Sequence, residues 1–237
     1  MLFLIPFAVA FWIIAFISTL LKGVREGELT FQKDRITKLP KTLFILIKAT
    51  PALLAVIMVV LFRPSGALFY ILLAIALVFC AVGDVGMETV FLAGVGLFLI
   101  AQFIYIGNFI WHSLLLGFSF LPVVALVASY LVMILIIVFL TQYIESSETG
   151  LGKMKGPLIV YALTVSMTFS SSLLLWLTTA SPLGFISTIG AAFFAFSDFT
   201  IGVKAFHHHF NKAELVIFST YYLAIFLLSL GVVVYSF

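Results

Sequence analysis

Eight runs of about twenty apolar residues, joined by short polar links, leave this chain little room to fold as anything but a bundle of membrane-crossing helices. A helical crossing of a ~30 Å hydrocarbon core needs roughly 20 residues, and in lipid every backbone polar group must be bonded within its own segment. The runs are continuous, whereas the strands of an outer-membrane barrel would alternate apolar and polar positions. Charged residues make up 9% of the 237 positions, against about 25% in an ordinary soluble chain, and mean hydropathy is +1.32. The expected fold class is therefore an all-α integral membrane protein, a bundle of about eight transmembrane helices forming a single domain over residues 1–237. No soluble domain fits beside them, and the net charge of +3 is a topology signal that implies no nucleic-acid partner.

The runs are about Leu2 to Leu21, Thr42 to Phe62, Ala67 to Val85, Val90 to Ile110, Phe118 to Leu140, Pro157 to Thr179, Leu183 to Lys204, and Leu215 to the C-terminus. The first has no basic region before it and no small-residue cleavage pattern after it, so it reads as a retained helix. Cys80, the single cysteine, can form no internal disulfide and leaves the redox compartment open. With eight crossings the basic residues sort by side. Lys22, Arg25, Lys33, Arg35, Lys38, Lys41, Lys153, Lys155, Lys204 and Lys212 fall on one face and only Arg63 on the other. The positive-inside rule makes the rich face cytoplasmic and puts both termini on the opposite side, in the endoplasmic reticulum if the cell is eukaryotic or the inner membrane if bacterial.

Inside this apolar sequence the stretch from Phe193 to Phe206, FFAFSDFTIGVKAF, carries a carboxylate, Asp198. An Asp at a helix centre costs roughly 2.5 to 3.5 kcal/mol to insert, so an intramembrane carboxylate is a functional-site candidate with a partner to be found. The pattern Phe-x-Ala-x-small-Asp occurs twice, as FCAVGD ending at Asp84 and FFAFSD ending at Asp198. The two copies lie in the third and seventh crossings, which run in the same direction. A four-plus-four parallel duplication would set the carboxylates opposite one another. Lys48, Asp84, Asp198, Tyr221 and Tyr222 all fall in the cytoplasmic half of the membrane by helix position.

Each polar residue also has a structural reading. Asp84 follows Gly83 near the end of its run and reads equally as a cap for the next helix. Lys48 reads either as a snorkelling side chain or as a phosphate contact. Trp111 and His112 mark an interface. Gly94, Gly96, Gly107 and Gly231 suit close helix contacts. The consecutive histidines His207, His208 and His209 point in different directions and have no spaced partner, so no metal site is expected. Ser170, Ser171 and Ser172 lack a nearby base, which argues against a serine hydrolase.

Several segments together resemble one known family. They are Ile47-Lys48-x-x-Pro51, ALVFCAVGD over 76–84, GLFLIAQFIYIGNF over 96–109, GAAFFAFSDFTIGVKAF over 190–206, and STYYLA over 219–224. The chain resembles the YhhN-type lysoplasmalogenases, multi-pass proteins that include the vertebrate alkenyl-lysophospholipid hydrolases. It departs from the family pattern at Gln102, where members carry His, and at Ile225, where they carry Gln.

The resemblance implies hydrolysis of the vinyl ether of a lysoplasmalogen to a fatty aldehyde and a glycerophospho-headgroup. It points to Asp84 and Asp198 as catalytic, with Asp198, the deeper, as the acid. Lys48, Gln102, Tyr105, Tyr221 and Tyr222 become substrate-binding candidates. The partners implied are a lysophospholipid and membrane lipids, and no cofactor or metal is called for. Two other classes fit the same residues: a proton-coupled transporter that uses the aspartates as proton carriers, and a non-catalytic lipid-binding relative, to which Gln102 and Ile225 point.

Overall fold

The computed structural model describes residues 4–117, 119–147 and 150–235. Ten α-helices are present among them, and eight segments are long and apolar enough to cross a membrane. The long helices are α1 (Leu4–Arg25), α3 (Lys41–Phe62), α4 (Leu68–Thr89), α5 (Phe91–Leu116), α6 (Phe120–Glu145), α7 (Lys155–Thr179), α8 (Phe185–Phe206) and α9 (Ala213–Ser229). Two short helices complete the set. α2 (Lys33–Ile36) lies in the first polar link, and α10 (Gly231–Val234) extends the last crossing beyond a break at Leu230. The chain is thus an all-helical multi-pass membrane bundle, as its apolar runs require.

The helices alternate in direction, so one end of the bundle gathers nearly every charge. Arg63 alone among the described charged residues lies at the other. The basic end is tied together across long sequence distances. Arg25 donates to the carbonyl of Leu39, and Glu28 accepts from the backbone N–H groups of Glu214 and Leu215. These are two of the orphan donors that open α9, and a carboxylate there also complements the helix dipole. At the opposite end Tyr70 donates to the carbonyl of Tyr235, and Asn108 to that of Phe69.

The order of neighbours repeats. In the first half α1 packs on α3, α3 on α4 and α4 on α5; in the second, α6 packs on α7, α7 on α8 and α8 on α9. Contacts between halves match too, α3 against α9 and α7 against α5. A four-plus-four repeat would give these pairs, as would any bundle of sequential hairpins for the first six; the contacts of α1 and α4 with α9, and of α6 with α8, have no equal in the other half. α6 is the outermost helix. Its buried residues are Pro122, Met133, Ile137 and Ile144, and side chains such as Leu131, Leu135 and Phe139 face outward, where an apolar surface suits lipid.

Several expectations are corrected. α4 does not end at Asp84 but runs on to Thr89, leaving Val90 as the whole link to α5, so Asp84 lies inside a helix and caps nothing. So tight a hairpin needs close helix approach. A Cβ added at Gly94 would lie 2.5 Å from the backbone nitrogen of Met87, and one at Gly86 would lie 2.8 Å from the Cα of Gly94. Gly94 therefore makes the predicted close contact; Gly190, not singled out in the sequence, makes another, its added Cβ lying 2.9 Å from the nitrogen of Leu228, whereas Gly231 has only ordinary contacts from 3.4 Å. Gly96 and Gly107 have nothing within 4 Å, so for them the close-contact reading is withdrawn. Gly94→Ala is expected to lower thermal stability in detergent by about 1 to 3 kcal/mol, because the obstruction is backbone and cannot rotate away; Gly96→Ala should leave the melting temperature unchanged. His112 faces into the bundle rather than outward. It is buried, with Nδ1 on the carbonyl of Asn108 and its ring edge-on to Phe69, while the neighbouring Trp111 faces outward.

Candidate active site

A cavity of about 340 Å³ opens at the basic end and reaches into the bundle between α4, α5, α7, α8 and α9, with α1 and α3 at its mouth. Both aspartates line it. Asp84 is 2% exposed, and its Oδ2 accepts a hydrogen bond from the hydroxyl of Tyr221 on α9 at 2.8 Å. Asp198 is less deeply covered, and its Oδ2 accepts from Tyr161 on α7 at 2.7 Å. Each carboxyl is thus oriented by one tyrosine from a neighbouring helix. Among the described residues the second oxygen of each has no hydrogen-bond partner and remains for a ligand, a proton or water.

One wall of the cavity is aromatic. Phe98 and Tyr221 line it and Phe194 packs against both, the three rings meeting edge to face with centroids 5.7 to 6.0 Å apart, a spacing aromatic pairs favour. Gly83 permits it, since a Cβ there would come within 3.1 Å of the Phe98 ring. Beside Asp198, Ser197 donates to the carbonyl of Ile217 and pins α8 to α9.

The mouth is charged. Lys48 is only 4% exposed; its ammonium donates to Glu88 Oε1 at 2.9 Å and lies 5.1 Å from the centre of the Phe218 ring. The same Oε1 accepts from Lys22 at 2.9 Å, and Lys22 also pairs with Glu26 at 3.1 Å. Lys204 pairs with the buried Glu214. Three lysines and three glutamates therefore surround the entrance. Lys48 is held inward, so it is not a snorkelling side chain.

The candidates from the sequence divide into two groups. Lys48, Asp84, Asp198 and Tyr221 line the cavity together. Gln102, Tyr105 and Tyr222 are buried and do not line it. Tyr222 donates to the carbonyl of Lys48 and accepts from Ser18, since its one hydroxyl proton is already committed. It fixes α3 where Pro51 interrupts the helical hydrogen bonding. Tyr105 stacks on Phe109, and its buried hydroxyl has no hydrogen-bond partner among the described residues. Gln102 lies against α7, where Thr168 donates to its backbone carbonyl, and neither atom of its side-chain amide has a partner among the described residues.

Sequence reasoning missed six residues here: Lys22, Glu26, Glu88, Tyr161, Lys204 and Glu214. Glu88 had a signal, because it lies four residues after Asp84 and so on the same helix face. Lys204 and Glu214 were legible only as loop-flanking charges, and Tyr161 had no signal at all.

These features define a class: a multi-pass helical membrane protein whose buried cavity presents two tyrosine-held carboxyl groups beneath a charged mouth. Within that class the chain belongs to the YhhN family, whose model matches residues 43–232. Helix α1, which supplies Lys22 and Ser18, precedes the matched stretch. Comparison with curated proteins and with solved structures gave no match.

Proposed function

We propose that the chain hydrolyses the vinyl ether of a lysoplasmalogen, releasing a fatty aldehyde and a glycerophospho-headgroup. The observation that carries this reading is the pair of aspartates, each with one oxygen on a tyrosine and one unpartnered, facing a single cavity within the membrane. A vinyl ether is inert to bases and opens when a proton reaches its β-carbon, so the chemistry needs an acid, a stabiliser of positive charge and water.

The protonated carboxyl of one aspartic acid gives its proton to the β-carbon, and the α-carbon becomes an oxocarbenium ion. The second carboxylate and the faces of the aromatic wall stabilise that cation. Water adds to the α-carbon and returns a proton to the first aspartate, and the hemiacetal then collapses to aldehyde and alcohol. One water is consumed and the acid is regenerated. Tyr161 and Tyr221 orient the two carboxyls, and Lys48 with Lys22 holds the phosphate. The apolar faces of the surrounding helices accommodate the chain of the lipid.

The test is to incubate purified protein in detergent with an alkenyl lysophospholipid and, separately, with its acyl-ester counterpart. Aldehyde from the vinyl ether and no fatty acid from the ester supports the reading. Folded protein that yields no aldehyde would sink it.

A further inference from the structure

Asp198 and Tyr161 border a second space. Between α6, α7 and α8 lies a groove of about 70 Å³ whose α6 wall is Ile137, Leu140 and Ile144. It shares Leu158, Tyr161, Asp198 and Gly202 with the charged cavity, so the Tyr161–Asp198 pair is the partition between the two. The two sides differ chemically. The cavity side carries the lysines and glutamates of the mouth, whereas Thr141 is the one polar residue the groove adds. The groove follows a thinly packed seam of the bundle, because α6 packs along α7 but only brushes α8.

We infer that this groove takes the aliphatic chain of a single-chain phospholipid where it leaves the cavity, and that Asp198 stands nearer than Asp84 to the bond joining chain to headgroup. The inference rests on the hydrolase reading for the bond it names, but not for the lipid it places. An amphiphile with its phosphate among the lysines and its chain between α6 and α8 must pass the shared wall. The linking atoms then lie beside Asp198. Gly202 keeps that passage open: its nearest neighbour is Ile144 Cδ1, 3.9 Å from an added Cβ. Asp84, on the far side of the cavity from α6, touches no part of the groove.

Two experiments test it. The native protein is first irradiated with an alkenyl lysophospholipid carrying a diazirine midway along its chain, and the labelled peptides are identified by mass spectrometry. Labels on 137–144 and 199–202 are expected; labels confined to α1, α3 or α9 overturn the assignment. This readout needs no turnover, so it stands even if no aldehyde is ever formed. The second is Leu140→Trp, which fills the groove from its outer wall. The ratio of kcat/KM for a long-chain over a short-chain alkenyl substrate should fall about tenfold or more. An unchanged ratio overturns the proposal, whatever the absolute rates. Absence of aldehyde from the wild type, together with labels in the groove, would reject the hydrolase reading and keep the chain site.

Discussion

Asp84→Asn and Asp198→Asn are each expected to lower kcat for vinyl-ether hydrolysis by about 10² to 10⁴, the range that a positioned general acid or base contributes. Asparagine keeps the shape of aspartate and an oxygen that the tyrosine hydroxyl can still bond, so the bundle should survive. It has neither an acidic proton to give nor a negative charge to set against an oxocarbenium ion. The two losses should differ in kind. If Asp198 is the acid, its variant loses proton delivery, and the solvent isotope effect on the residual rate should change; Asp84→Asn should lose cation stabilisation and leave that effect in place. The measurement is aldehyde release in H₂O and D₂O, with the melting temperature as a check on folding. Full activity in either variant removes that residue from the chemistry.

The largest effect on stability is expected at Glu88. Its Oε1 bridges Lys22 and Lys48 at 2.9 Å each, and the Lys48 side chain is 5% exposed. In Glu88→Gln, Lys22 keeps Glu26, but Lys48 loses the one salt bridge it makes among the described residues. Removing one partner of a buried pair costs about 3 to 5 kcal/mol because the other charge stays desolvated, whereas removing both is often close to neutral. Thermal unfolding in detergent should therefore show Glu88→Gln well below wild type, Lys48→Met nearer to it because Glu88 keeps Lys22, and the double variant recovering most of the loss. Equal melting temperatures for Glu88→Gln and wild type would mean that the mouth is hydrated and the pair contributes little. Lys48→Met carries a separate kinetic signature. A charged hydrogen bond to phosphate contributes about 1.5 to 3 kcal/mol, so KM for the lysophospholipid should rise roughly 10- to 100-fold with kcat less affected.

The two departures from the family pattern have different surroundings. Ile225 is a fully buried core residue of α9, and an apolar side chain there needs no partner. Gln102 is also fully buried but has an unsatisfied amide, and a buried polar group without a partner costs about 1 to 3 kcal/mol. It lies outside the cavity, so any influence of residue 102 on the reaction would pass through the α5–α7 packing.

Composition and periodicity determined the class of fold, because lipid leaves the backbone no alternative to intrahelical hydrogen bonds and each crossing needs its own long apolar run. They also located both aspartates, since a carboxylate in such a run stands out by its cost, and the alternation of crossings placed Lys48, Asp84 and Asp198 at one end. The three-dimensional packing decided the rest. Tyr161, unmarked in the sequence, holds Asp198, and Tyr221, marked there as a substrate contact, holds Asp84 from 137 residues away; which carboxyl a hydroxyl meets has no pattern in one dimension. Packing made Glu88, which lies between the apolar runs that end at Val85 and begin at Val90, the counter-ion of Lys48. It withdrew Gln102, Tyr105 and Tyr222 from the cavity, because whether a polar side chain faces a ligand or a neighbouring helix depends on which helices lie beside it. Helical periodicity gives each residue a face, but only the contacts among helices fix what that face meets.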